Sequence, residues 1–169
     1  RVAVAKKMFY GADFGPEVAT AFKSLMDDAR ESNTCFALER NTAAVFHAMR
    51  CIEIGLRSLA RERGFKPKKG PLEWQEWNEI IRGISEGVEK EATSWPRGPQ
   101  KDKFLGFYRG ALREFQGFKD EFRNYVSHTR GAYDDAAALR CLRGTKEFLI
   151  RLANGGLTET GKRIRWRKK

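Results

Sequence analysis

From Phe104 to Tyr125 the chain places Phe104, Phe107, Ala111, Phe115, Phe118, Phe122 and Tyr125 three or four residues apart. A strand would show a period of two, so this spacing commits the segment to an amphipathic helix with one aromatic face. A stripe of Phe at that spacing predicts a core or subunit interface ahead of a row of base-stacking platforms, because a lone helix cannot leave so much apolar surface in water.

The same period runs through most of the chain. A helix opening at Pro16, a favoured first-turn residue, carries Val18, Phe22, Leu25, Met26 and Ala29 and fades at 31–33. A second starts at Thr34 or Asn41, either of which can cap it, and runs through Val45, Phe46, Met49, Ile52, Leu56 and Leu59 to Arg63, where Gly64 supplies the stop. After a basic, turn-rich connection over 64–71, a third carries Trp74, Trp77, Ile80 or Ile81, Ile84 and Val88. Gly83 and Gly87 each weaken that helix by up to about 1 kcal/mol. Trp95-Pro96-Arg97-Gly98-Pro99 breaks the chain before the aromatic helix. A fifth helix starts at Asp134 or Asp135 and runs through Leu139, Leu142, Phe148 and Leu149 to Leu152, ending at Asn154-Gly155-Gly156.

The expected fold is therefore all-α: a single-domain antiparallel bundle of about five helices over 1–154, followed by a basic C-terminal tail over 155–169. Trp74 and Trp77 read as core, whereas Trp95 and Trp166, set among turn or polar residues, read as exposed. With 41% apolar residues the chain can build a core, and no stretch approaches the roughly 20 apolar residues of a membrane helix. The first residues show no signal-peptide pattern, and an odd count of unpaired cysteines (Cys35, Cys51, Cys141) fits reduced thiols, so a cytoplasmic protein without membrane contact is expected.

Charge points to a polyanion without locating a site. The net charge is +11, and the six cations Lys162, Arg163, Arg165, Arg167, Lys168 and Lys169 account for more than half of it, leaving +5 on the rest. Such a tail is either a phosphate contact or a solvated terminus. With two histidines, a histidine-rich metal site is excluded by count, and the cysteines lack the paired spacing of a zinc or redox motif, so no metal and no cofactor are expected.

The chemistry-bearing stretch is Phe122-Arg123-Asn124-Tyr125-Val126-Ser127-His128 at the end of the aromatic helix. It combines a permanent cation, an amide and a group titrating near neutrality. Histidine can move a proton while arginine stabilises charge developing on a phosphodiester, with no metal required. On an unbroken helix, however, Arg123 and His128 stand about 140° apart, so they converge only if the helix loosens or a second chain completes the site. A pair of cations satisfying a helix C-terminus is the plainer alternative.

The spacing Arg123-Asn124-x-x-x-His128, followed by a turn with Tyr133-Asp134 and another helix, resembles the signature of the HEPN superfamily. The run from Thr42 to Glu53, including His47 and Arg50, is similar to the matching helix of many bacterial HEPN proteins, and the resemblance is strongest over 34–153. It implies a homodimeric helical bundle with a composite cleft, in which His128 is a general acid or base, Arg123 holds the scissile phosphate and Asn124 orients it. The implied activity is a metal-independent endoribonuclease of a toxin-antitoxin, phage-defence or related conflict system, using 2′-hydroxyl attack on an RNA substrate, with a neighbouring antitoxin or regulatory protein as partner. One branch carries a Tyr two residues after the motif His; Arg130 stands there instead, so modification by that branch's nucleotidyltransferase partner is not implied.

His47, Arg50 and Glu53 form a second polar strip on one helical face. They either line the same cleft, or reduce to a Glu53–Arg57 pair beside a satisfied histidine. The competing functional class is a non-catalytic HEPN-like module for dimerisation or for nucleic-acid or protein binding; a small-molecule-binding bundle has no phosphate-cradling loop behind it.

Overall fold

The structure, a computed structural model, describes residues 8–123 and 132–166. Six helices build it: α1 (Pro16–Ala21), α2 (Met26–Ala37), α3 (Asn41–Glu62), α4 (Trp77–Thr93), α5 (Pro99–Phe118) and α6 (Asp135–Asn154). No strand occurs among the described residues. None of their helices is long and apolar enough to cross a membrane.

The expected helix from Pro16 is interrupted. Phe22 has a non-helical backbone, and a 3-10 turn over Lys23–Leu25 leads into α2. The groups released by this break find partners far along the chain: the Glu159 N–H donates to the Ala21 carbonyl, and the Ser24 N–H donates to the Glu159 carboxylate, both at 2.8 Å. Val18, Phe22, Leu25, Met26 and Ala29 nevertheless all reach the core.

Of the two starts open to the long helix, Asn41 begins α3, and Thr34 belongs to α2. Gly64 ends α3 at φ +66°, a conformation a Cβ disfavours. At α6 the Asp134 carboxylate accepts the Ala137 N–H at 2.7 Å, as an N-cap should.

Directions within the bundle are mixed. The hairpin pair α2 and α3, joined by 38–40, runs antiparallel, since Cys51 approaches the Leu25 carbonyl while Asp28 meets His47 and Arg50. α5 is antiparallel to α4 through Arg109–Glu89, and to α6 through Phe115–Phe148, Phe118–Gly144 and Glu121–Arg140. In contrast, α3 and α6 run the same way: Asn41 bonds Asp135, and Gly55 lies against Leu149 and Leu152. α4 also follows the direction of α3, because the connection after Gly64 folds back along it, bringing Glu73 to Arg57 and Arg61 before Trp77 meets Glu53.

The described part of the aromatic stripe faces the core, with Phe107 half-buried, and Tyr125 lies outside the described residues. Phe104, Phe115, Phe118 and Phe122 are buried, and Phe115 and Phe118 pack on Phe148. Two expectations about large side chains are corrected. Trp74 lies in a 3-10 turn before α4 and is 79% exposed, whereas Trp95 is buried against Phe104 and Trp166 is half-buried against Phe104, Phe107 and Tyr108. Phe46, on the apolar side of the expected pattern, is 50% exposed. Gly83, a weak point for helix propensity, is where the Phe65 ring crosses α4; a Cβ there would lie 2.3 Å from the ring.

Candidate functional site

Three helix termini meet at one end of the bundle. After Phe118 the α5 backbone widens into a π-helical turn over Lys119–Arg123. The carbonyl of Phe122 accepts the Tyr133 hydroxyl at 2.7 Å, the Tyr133 N–H donates to Thr42 Oγ1 at 3.3 Å, and the Asn41 amide donates to Asp135 at 2.7 Å. The end of α5, the start of α6 and the start of α3 are thus tied together on either side of the motif. Gln116 and Lys119 hold the Asp120 carboxyl below its usual range, and Glu121 pairs with Arg140 at 3.7 Å. Asn124 and His128 lie outside the described residues, as does the side chain of Arg123.

The second polar set divides. His47 Nδ1 meets Asp28 Oδ1 at 2.7 Å, and Arg50 Nε donates to both Asp28 oxygens at 2.9 Å, so Asp28 of α2 joins the two. Hydrogen bonding to Asp28 raises the Arg50 pKa further, keeping it charged. Glu53 turns towards α4 instead: it accepts the Trp77 indole N–H at 3.2 Å and pairs with Arg57 at 3.2 Å. The structure brings His47 and Arg50 together and leaves Glu53 elsewhere.

Beside Asp28, α2 contributes Glu31 and Cys35. One ligand atom each from Glu31, Cys35 and His47 lies within 4.8 Å of the others, the one such mixed group among the described residues. Cys35 is buried, with its thiol 3.5 Å from the exposed Glu31 carboxylate; burial first, then the bond to Glu31, raises its pKa. Sequence reasoning missed Asp28, Glu31 and Cys35. The signal was available in the hairpin: Asp28 and Arg50 stand equally far from the 38–40 turn, as do Glu31 and His47.

The opposite end of the bundle is closed by the C-terminal segment. Glu62, 2% exposed, accepts the Tyr108 hydroxyl and the Ile164 N–H at 3.0 Å, with Arg63 and Arg163 at 4.0 Å. Arg63 and Arg163 both reach Glu91 at 2.5 Å, and the Trp166 indole donates to the Tyr108 oxygen at 3.2 Å. Burial pushes the Tyr108 pKa up to about 12. Gly161, at φ +67°, lets the segment pass so near Arg61 that a Cβ would lie 2.3 Å from that residue's own Cβ. Of the six tail cations, Arg163 is spent on Glu91, Lys162 and Arg165 are exposed, and Arg167, Lys168 and Lys169 lie outside the described residues.

A cleft of about 390 Å³ lies between the basic connection and α4, lined by Phe65, Lys66, Lys68, Gln75, Glu79 and Arg82 among others, away from both polar groups of α3. Cys51 and Cys141 are buried, and burial raises both thiol pKa values, that of Cys141 to about 12, so neither is an activated nucleophile. No protein-family model matches the chain, and no curated protein and no solved structure matches it.

Proposed function

We propose that the chain is a HEPN-type, metal-independent endoribonuclease of a conflict system, working in the cytoplasm as a homodimer on RNA. Arg123 holds the scissile phosphate, Asn124 orients it, and His128 moves the proton as the 2′-hydroxyl attacks. The products are a cyclic phosphate and a free 5′-hydroxyl. An antitoxin or regulatory protein is the expected second partner.

The observation that carries this reading is the π-turn. On an unbroken α-helix Arg123 and His128 stand about 140° apart; the π-turn over Lys119–Arg123 ends at Arg123, so it re-aims the motif relative to α5 and leaves the convergence of the pair to the composite site of the dimer. Single π-turns recur at functional sites because they rotate the residues that follow. Here the turn is anchored by Tyr133 on Phe122, at the junction of α3, α5 and α6. Exposed Phe46 and Arg50 lie on α3 within about 12 Å, along the helix axis, of Thr42 at that junction.

The test is incubation of the purified protein with total RNA in EDTA, beside Arg123→Ala and His128→Ala. Cleavage by the parent that both variants lose supports the nuclease. Absence of cleavage with RNA binding intact replaces it with the non-catalytic module. Light scattering at micromolar concentration should show twice 19.4 kDa; a monomer removes the composite cleft.

A further inference from the structure

We infer that Glu31, Cys35 and His47 form a binding site for a zinc-class divalent ion that clamps α2 to α3. The ligand chemistry is a thiolate, an imidazole and a carboxylate, a mixture suited to Zn²⁺ and poorly suited to Mg²⁺ or Ca²⁺, which take oxygen donors. The three ligand atoms already lie within 4.8 Å of one another, and the Glu31–Cys35 pair is at 3.5 Å. A tetrahedral zinc with bonds of about 2.0–2.3 Å needs its ligands roughly 3.3–3.7 Å apart. Glu31 is exposed, so its carboxylate can turn towards a metal without disturbing the core.

A second, independent feature is the support behind the histidine. Metal-bound imidazoles characteristically donate their other ring N–H to a carboxylate, which fixes tautomer and orientation. Asp28 occupies that position on Nδ1 at 2.7 Å, and Arg50 fixes Asp28 in turn through both its oxygens. With Nδ1 bonded to Asp28, a metal would be taken on Nε2.

Three protein ligands leave a fourth position for water. On binding, the Cys35 thiol gives its proton to solvent as the sulfur–metal bond forms; Glu31 enters as the carboxylate and His47 as the neutral ring. The site lies on the α2–α3 hairpin and contains neither Arg123 nor His128, so it is a clamp on the helix pair and supplies no step of the proposed RNA chemistry. It replaces the expectation, drawn from cysteine spacing, that no metal binds: the ligands come as Glu-x-x-x-Cys on one helix and His on the next.

The experiment uses the full chain, reduced and stripped with EDTA, titrated with Zn²⁺ against a chromophoric chelator and with Co²⁺ by absorption. One equivalent per chain, a near-ultraviolet thiolate-to-cobalt band, and release of about one proton are expected. Cys35→Ser should abolish the band, and His47→Ala should weaken Zn²⁺ at least 100-fold. Asp28→Asn should weaken it about 10–100-fold. Cys141→Ala should keep the band. Glu31→Gln, on an exposed side chain, cannot fail through loss of the core and should weaken binding at least 10-fold. Thermal melts in EDTA identify any variant that is simply unfolded. Sub-stoichiometric Zn²⁺, a band that survives Cys35→Ser, or affinity unchanged in both Glu31→Gln and Asp28→Asn overturns the site. RNA cleavage plays no part in this readout, so its outcome is separate from that of the nuclease test.

Discussion

The two ends of the bundle treat polar groups in opposite ways. At the end closed by the C-terminal segment, Glu62, Arg63, Tyr108, Glu91, Arg163 and Trp166 satisfy one another, and Arg63 also lies over the Phe104 and Tyr108 rings. At the other end, tertiary hydrogen bonds fix the backbone around the motif, while Arg50 and Phe46 face solvent and His47, Glu31 and Cys35 keep atoms suited to a ligand. Dense mutual pairing of buried groups indicates a structural network; at the other end, polar side chains on a fixed backbone remain open to a ligand.

The comparison breaks most visibly at the motif. His128→Ala should lower RNA cleavage about 10²–10⁴-fold, the range of a lost proton-transfer group, with the thermal midpoint little changed. Single-turnover cleavage and a melt on the same preparation check it; a large loss of stability would mean that this end is structural too.

At the closed end the effects should fall on stability instead. Phe104→Ala removes the ring that Trp95, Tyr108, Trp166 and Arg63 pack against and should cost about 3–5 kcal/mol by urea unfolding. Glu62→Ala strips a buried acceptor from Tyr108 and Ile164 and a counter-charge from Arg63 and Arg163. It should cost about 3 kcal/mol, a fall of roughly 6–12 °C in the melting midpoint.

The smallest effect is on pH. Burial raises the Glu91 pKa, but Arg63 and then Arg163 more than offset this, so its carboxyl lies below the usual range. A depressed acid stabilises the fold above its unfolded pKa, and that contribution is lost as pH falls through the lower folded value. Glu91→Gln should therefore lower the melting midpoint at pH 7, and the gap to the parent should narrow below about pH 4.5. A gap constant down to pH 3 would remove the ion pairs from the account.

Much of the fold was legible because burial repeats with helical period. The Phe stripe, the apolar face of α3 and the Gly64 stop follow from spacing alone. The tryptophans were misplaced for an identifiable reason: Trp74 matches the α4 period but precedes that helix, while Trp95 and Trp166 lack local periodicity and are covered by rings of another helix, Trp95 by Phe104 and Trp166, half-buried, by Tyr108. The break at Phe22 was equally hidden, since Glu159 stabilises it from 135 residues away. Of the polar strip, local spacing identified His47 and Arg50 but could not show that Asp28 joins them or that Glu53 faces Trp77.

By itself the sequence determined the helical class, the main helical faces and the Arg123–His128 motif, because these depend on residue type and intervals of three to five positions. Tertiary structure decided that α3 and α6 run in the same direction, that the C-terminal segment closes one end through Glu62, and that Asp28, Glu31, Cys35 and His47 meet across a hairpin. Such meetings depend on how helices cross and which backbone groups need partners, and a chain reports them only when its distant parts are packed together.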